Sequence, residues 1–247
     1  MSEATTTISI VLPVRNLADS VATTVTECMA VAGQHCADYE IILVDDGSDD
    51  GTRDQADHLV AAYDPVMVLH QPEPRGYSAA LRAAWQVARG DYLLAFQPTG
   101  PAGIAELPRL LAALEDRAVV VGYRPHPPRM PLAPLYAAAV RAMLGGDLRD
   151  PALRCALFRA DLADLLPADA PDGLAHTEIY ARAQRAGLPV AQVAITGRQG
   201  GEQAPSAALV ELARYRPASG GQPGPLVVAL AVMAGGGLWL LRRHRRR

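Results

Sequence analysis

The sequence predicts an α/β protein whose mostly parallel sheet is flanked by helices, followed by a hydrophobic C-terminal helix. Short apolar runs alternate with helical patterns through residues 6–123, an order typical of βαβ units. Right-handed crossovers then place helices on both faces of the sheet. Residues 225–241 contain no charged residue and lead into an arginine run, which favours a separate apolar segment at the end of the chain.

The elements follow one another regularly. The predicted strands lie at 7–12, 40–44, 66–70, 92–96 and 118–122, with helices between them at about 17–32, 52–62, 77–89 and 104–115. The 77–89 segment shows the helical period best, because its apolar residues share one face. After a proline-rich stretch at 125–134, we predict a helix at about 132–144, a strand at 153–158, a helix at 174–186 and a strand at 190–195.

We divide the chain into three parts. Residues 1–200 form the α/β domain, residues 201–224 a short helix and a Gly/Pro-rich linker, and residues 225–247 a hydrophobic membrane helix with an Arg-rich end. The 17 apolar residues would span roughly 25 Å, somewhat less than a bilayer core of about 30 Å. No signal peptide is visible, so we expect the protein on the cytoplasmic face of a membrane, anchored by this segment. Both a spanning helix and a shallow insertion with arginines at the headgroups remain open.

Composition excludes several classes of function. All 23 basic residues are arginines, which excludes a Schiff-base lysine and a P-loop lysine. Without the terminal arginine run the body carries a charge of about −8, so we expect no nucleic-acid partner. The three cysteines are widely spaced, which fits a reducing compartment and no disulfide framework.

An acidic turn follows the second predicted strand. Residues 44–52 read VDDGSDDGT, so Asp45 and Asp46 stand at the carboxyl end of a buried strand, the edge at which open parallel sheets bind ligands. Carboxylates there suit hydrogen bonds to a base or ribose, or a divalent cation. The alternative is a strand end and a helix capped by Asp50 or Thr52, with no ligand.

An ordered set of motifs resembles the family 2 glycosyltransferases, which have the GT-A fold, and in particular their polyprenyl-phosphate mannose or glucose synthase branch. The first strand and turn match at 8–16 (ISIVLPVRN), the acidic turn at 44–52, the next turn and helix at 75–82 (RGYSAALR) and the run into the fourth strand at 89–94 (RGDYLL). Weaker matches follow at 121–124, 149–150, 155–159 and 177–179. The resemblance covers about residues 6–200.

The resemblance implies a nucleotide site. It assigns Asp45 and Asp46 to the base and ribose, with Pro13 and Arg15 flanking the base, and Gly76 as a point of close backbone approach. The implied partners are a UDP- or GDP-sugar and a lipid-linked acceptor, and the implied cofactor is Mg²⁺ or Mn²⁺.

The residues that depart from the family pattern are those that the resemblance assigns to the chemical step. Where the family has Asp-x-Asp to bind the metal, this chain has Gln97 and Thr99 with a proline between them, so we predict no metal ligands and no certain cofactor. A divalent ion stabilises the leaving diphosphate by several kcal/mol, and each 1.36 kcal/mol is about tenfold in rate. Arginine pairs bidentately with phosphate, so Arg75, Arg124 and Arg154 are the candidate substitutes. Asp150 and Glu178 are the candidate catalytic acids.

Two functions remain open at this point. The first is a glycosyltransferase that passes a sugar from a nucleotide-sugar to a membrane-associated acceptor, such as a polyprenyl phosphate, with a degenerate metal site. The second is a catalytically inactive protein of the same fold that serves as a membrane-tethered binding or scaffold partner of an active glycosyltransferase.

Overall fold

The computed structural model describes residues 6–126, 133–197 and Tyr215. Within them the chain forms one seven-stranded sheet in the order β3-β2-β1-β4-β6-β5-β7. The strands are β1 (Thr7–Val14), β2 (Asp38–Asp45), β3 (Val66–His70), β4 (Tyr92–Phe96), β5 (Val119–Tyr123), β6 (Cys155–Arg159) and β7 (Val190–Ala194). The helices are α1 (Val21–His35), α2 (Thr52–Ala62), α3 (Tyr77–Val87), α4 (Leu107–Ala112), α5 (Ala133–Leu144) and α6 (Ala175–Arg185).

The sheet is mostly parallel, as predicted. Strand β1 pairs in parallel with β2 and β4, β2 with β3, and β5 with β7. Strand β6 runs antiparallel between β4 and β5. Since β1, β2 and β4 are parallel, their carboxyl ends meet at one edge, where parallel sheets bind ligands.

The core lies on both faces of the sheet. Alternate residues of β1 enter two clusters: Ile10 and Leu12 pack with residues of α1 and α2, whereas Val11 packs with residues of α3 and α6. All three side chains are fully buried, and each contributes about 1.5–3 kcal/mol relative to exposure. This two-sided burial explains why the strands read as continuous apolar runs.

Several predicted boundaries need correction. The first helix begins at Val21 rather than near residue 17, because residues 15–20 form a turn. The predicted helix at 104–115 is a short 3-10 helix, Ile104–Glu106, followed by α4. A second 3-10 helix, Ala160–Leu165, follows β6 and was not predicted. Helix α2 has Gly51 as its N-cap, so neither Asp50 nor Thr52 caps it, although Asp50 accepts a hydrogen bond from the Thr52 amide.

The described residues contain no helix that is both long and apolar enough to cross a membrane. The predicted membrane helix at 225–247 lies outside them, as does the linker at 201–224 apart from Tyr215.

Candidate functional site

A cleft of about 470 Å³ opens at the carboxyl ends of β1, β2 and β4. Three segments of the chain line it: the end of β1 with the turn after it (Pro13, Val14, Arg15 and Leu17), residues 74–77 at the start of α3, and residues 97–99 after β4. Asp46, Ala80, Arg154 and Asp172 complete the wall. The cleft therefore gathers Pro13, Arg15, Asp46, Gly76, Arg75 and Arg154, six of the residues predicted for the site.

Asp46 holds the turn before α3 in place. Its Oδ1 accepts hydrogen bonds from the backbone N–H groups of Arg75 at 2.6 Å and Gly76 at 3.1 Å, and its Oδ2 accepts from Gly76 at 3.0 Å. Gly76 has φ +88°, a conformation that glycine adopts without strain. The side chain is 8% exposed, so its contacts within the chain leave little room for a ligand. Contact with a ribose remains a prediction.

Asp45 lies one residue earlier and is fully buried. Its carboxylate accepts a hydrogen bond from the Ser48 amide at 3.0 Å, bonds to His70 Nδ1 at 3.0 Å, and lies 3.5 Å from Arg53 Nε. Burial raises the pKa of Asp45, but the hydrogen bonds from Ser48 and His70 outweigh burial and hold the pKa below that of an ordinary aspartate. The cleft wall does not include Asp45, and its predicted contact with the base is untested.

The turns after β1 and β2 are bonded to each other. The Asn16 amide donates to Ser48 Oγ at 3.1 Å, Asn16 Nδ2 donates to Asp49 Oδ1 at 2.8 Å, and the Asp49 amide donates back to Asn16 Oδ1 at 3.1 Å. This network of hydrogen bonds fixes the segment that carries Arg15. The acidic turn thus has a structural use even before any ligand is considered.

The turn after β4 does not fit a divalent cation. Thr99 and Gln97 offer neutral oxygens, whereas Mg²⁺ and Mn²⁺ prefer carboxylates. Gln97 Oε1 already accepts a hydrogen bond from Arg154 Nη1 at 3.0 Å, and Gln97 Nε2 donates to Thr99 Oγ1 at 3.3 Å. Among the described residues no group of three His, Cys, Asp or Glu side chains is suited to a metal ion. The guanidinium of Arg154 therefore contacts the turn that the resemblance aligns with the family's metal motif, and that alignment remains a prediction.

Arg154 also contacts an aromatic pair. Its guanidinium stacks over the Tyr77 ring, with 4.8 Å between Cζ and the ring centroid, a cation–π contact. The Tyr77 hydroxyl is 2.8 Å from His176 Nε2, and His176 packs edge-on against Phe158. Burial, and secondarily the charge of Arg154, lowers the pKa of His176 to about 3, so the imidazole is neutral. The aromatic pair therefore positions Arg154 at the cleft.

The predicted residues Arg124 and Asp150 lie together but outside the cleft wall. Arg124 Nε and Nη2 contact the two carboxylate oxygens of Asp150 at 2.6 and 2.9 Å. Both side chains are largely buried, and such a bidentate pair leaves Arg124 with little positive charge to offer. Roles for Arg124 in phosphate binding and for Asp150 in catalysis remain predictions.

Glu178 is fully buried in α6. It accepts hydrogen bonds from Arg182 Nε at 3.1 Å and from the Tyr215 hydroxyl at 2.5 Å. Tyr215 packs with a small apolar cluster of α5 and α6. Glu178 does not line the cleft, so its predicted catalytic role is not supported by proximity.

Sequence reasoning missed Asp172, Tyr77 and His176. Asp172 lies in a loop without a recognisable motif, and it reaches the cleft because its Oδ1 accepts a hydrogen bond from the Ser78 amide at 2.9 Å, 94 positions away. Tyr77 and His176 lie in the core. No local signal in the sequence connects either of them to Arg154.

A mostly parallel sheet with a cleft at its carboxyl edge is the arrangement in which open α/β proteins bind ligands. The model of the glycosyl transferase family 2 matches residues 9–133. The chain belongs to this family, which confirms the prediction from the motifs.

Curated relatives include sugar transferases named for polyprenyl-phosphate acceptors. The chain is 31% identical over 172 residues to undecaprenyl-phosphate mannosyltransferase from Micrococcus luteus, a match that covers 64% of this chain and 71% of the relative. It is 31% identical to glycosyltransferase AglD from Haloferax volcanii over 75% of this chain, but this match covers only 32% of that longer protein.

Solved structures support the GT-A fold. Glucosyl-3-phosphoglycerate synthase from Mycobacterium tuberculosis superposes with a TM-score of 0.64 at 21% identity, covering 94% of this chain and 80% of the other. Mannosyl-3-phosphoglycerate synthase from Rubrobacter xylanophilus gives 0.65 at 22% identity, covering 85% and 73%. At these identities the likeness shows the fold alone.

Proposed function

We propose that the protein transfers a sugar from a UDP- or GDP-sugar to a membrane-associated acceptor such as a polyprenyl phosphate, without a divalent ion at the diphosphate. The observation that carries the proposal is the Arg154–Gln97 contact in the turn after β4. It places a fixed positive charge in a cleft that also contains Arg15 and Arg75. The similarity to undecaprenyl-phosphate mannosyltransferase supports the choice of acceptor class.

The proposed reaction needs little acid–base help. An oxygen of the acceptor phosphate attacks the anomeric carbon as the bond from that carbon to the diphosphate oxygen breaks, with inversion. The acceptor is already ionised, so no proton has to be removed from it. The leaving nucleoside diphosphate gains negative charge, which Arg154 and Arg75 stabilise by charge-assisted hydrogen bonds. Because this reaction needs no acid or base from the protein, it is consistent with the bonding of Asp150 and Glu178 to partners inside the protein.

The same bonding also favours the second candidate, an inactive membrane-tethered scaffold, because it leaves the chain without an available catalytic acid of the predicted set. The two candidates differ in their ligands. A transferase must bind a nucleoside diphosphate, whereas a scaffold that has lost the reaction need not.

Titration calorimetry with UDP and with GDP, each with EDTA and with Mn²⁺, tests the proposal. We expect one nucleotide to bind equally well in both conditions, because Arg154 supplies the charge. The variant carrying Gln97→Asp and Thr99→Asp is the matched control, since its restored carboxylates should make binding depend on Mn²⁺. If neither UDP nor GDP binds, the proposed transferase function is wrong. A double variant indifferent to Mn²⁺ would show that this turn is not the metal position.

The apolar segment at 225–241 supports membrane association, with the α/β domain on the cytoplasmic face. A chain truncated before residue 225 is therefore expected to move from the membrane fraction to the soluble fraction, because it loses the apolar surface and the five terminal arginines. Replacing those five arginines with glutamine, with the apolar segment retained, separates the two contributions. A full-length protein already in the soluble fraction would contradict the anchor.

A further inference from the structure

Asp172 is an acid in the cleft wall that the proposed reaction leaves unused. Its Oδ1 accepts a hydrogen bond from the Ser78 amide in the first turn of α3. The carboxylate lies directly over Gly76, where an added Cβ would overlap Oδ2 and come within 2.8 Å of Oδ1. The close approach expected at Gly76 is thus made by a side chain of the same protein.

The second carboxylate oxygen has no partner within the part of the chain that the structure describes. Only the Ser78 amide bonds to Asp172 there, and Asp172 forms no ion pair with an arginine. Capping α3 requires one oxygen, so the cap does not account for Oδ2. The residue lines the same cleft as Arg75 and Arg154, and Oδ2 remains available to a ligand.

The negative charge of Asp172 limits which chemical group of a ligand can bond to Oδ2. A carboxylate accepts hydrogen bonds and donates none when ionised. It repels a diphosphate, which the arginines of the cleft attract. Neutral donors suit it, and in a nucleotide-sugar these are the N–H groups of the base and the hydroxyl groups of the ribose and the donor sugar. Asp172 reaches the turn at Gly76 from the loop before α6, whereas the resemblance assigns the base and the ribose to Asp45 and Asp46. The donor sugar is the part that this assignment leaves for Asp172.

We infer that Asp172 forms a donor-sugar subsite, in which Oδ2 accepts hydrogen bonds from hydroxyl groups of the hexose. This rests on the proposed function, because it requires that a nucleotide-sugar occupies the cleft. It extends that function by giving the chain a residue that distinguishes a nucleotide-sugar from its nucleoside diphosphate. Gly76 serves the subsite as well as the turn, since only a residue without Cβ leaves room for the carboxylate.

The test compares UDP with UDP-glucose, and GDP with GDP-mannose, by calorimetry on the full chain and on Asp172→Asn. Asparagine retains an oxygen for the Ser78 amide and removes the charge. We expect nucleoside diphosphate binding to be unchanged or slightly tighter, whereas binding of the matching nucleotide-sugar weakens by about tenfold to a hundredfold, the range for a charged hydrogen bond. Asp169→Asn, an exposed acid in the same loop, is the matched control and should alter neither.

The outcomes separate this inference from the function on which it rests. If the wild-type chain binds no nucleoside diphosphate, both are wrong. If it binds one, and Asp172→Asn weakens nucleotide and nucleotide-sugar equally or neither of them, the sugar subsite alone is wrong. A lower melting temperature with unchanged selectivity would likewise assign Asp172 to capping α3 only. An increase in KM for the nucleotide-sugar at unchanged melting temperature would support the subsite, since a cap alone does not produce it.

Discussion

Arg154→Gln is expected to lower the affinity for UDP or GDP by about tenfold to a hundredfold, the loss typical of one charge-assisted hydrogen bond. The effect on turnover should be larger, about 10²–10³-fold, because the diphosphate gains charge as the sugar leaves. The reason is local: the turn after β4, which the resemblance aligns with the family's metal motif, offers only neutral oxygens, and the guanidinium of Arg154 contacts it. Calorimetry and initial rates with the matching nucleotide-sugar measure the two quantities.

Two further variants show whether charge or shape matters. Arg149→Gln is the matched control, because Arg149 also stacks on a tyrosine, at 4.7 Å from the Tyr123 ring centroid, but lies outside the cleft wall. It should leave nucleotide affinity unchanged. Arg154→Lys keeps the charge but loses the planar fork that matches phosphate oxygens, so its affinity should fall between wild type and Arg154→Gln. Equal affinities for wild type and Arg154→Gln would contradict the proposed role.

The layers of the fold were predicted well because strands and helices are indicated by local patterns in the sequence. Apolar runs and helical spacing identify strands and helices, and their alternation implies a parallel sheet. The direction of β6 was not predicted, because it depends on pairing with β4 and β5, which are distant in the chain. The start of α1 was placed too early because the turn at 15–20 contains no proline or glycine to mark it.

The site was predicted only in part, for a related physical reason. Motifs located the cleft-lining residues Arg75 and Asp46, since turns after parallel strands meet at one edge. They could not show that the Asp46 carboxylate is used by two backbone amides some thirty positions away. Contacts such as that of Asp172 with Ser78 form only in the folded chain and correspond to no spacing in the sequence.

Asp46→Ala is expected to reduce the free energy of unfolding by about 3 kcal/mol, the sum expected for two hydrogen bonds to a charged group, and to abolish nucleotide binding. Without the carboxylate, the amides of Arg75 and Gly76 lose their acceptor, and the turn that carries Arg75 and supports Asp172 is no longer fixed. Urea unfolding and calorimetry on the same preparations measure the two effects. Asp64→Ala, which removes an exposed acid in the turn before β3, is the matched control and should change neither.

Asp46→Asn separates the two uses of this side chain. Asparagine retains one acceptor oxygen, so most of the stability should return, and nucleotide affinity should return with it if Asp46 acts by holding the turn. Loss of nucleotide binding in Asp46→Asn at near wild-type stability would instead indicate a direct charged contact with the ligand. An unchanged free energy of unfolding in Asp46→Ala would contradict the structural role, because a buried carboxylate that holds two amides cannot be removed without cost.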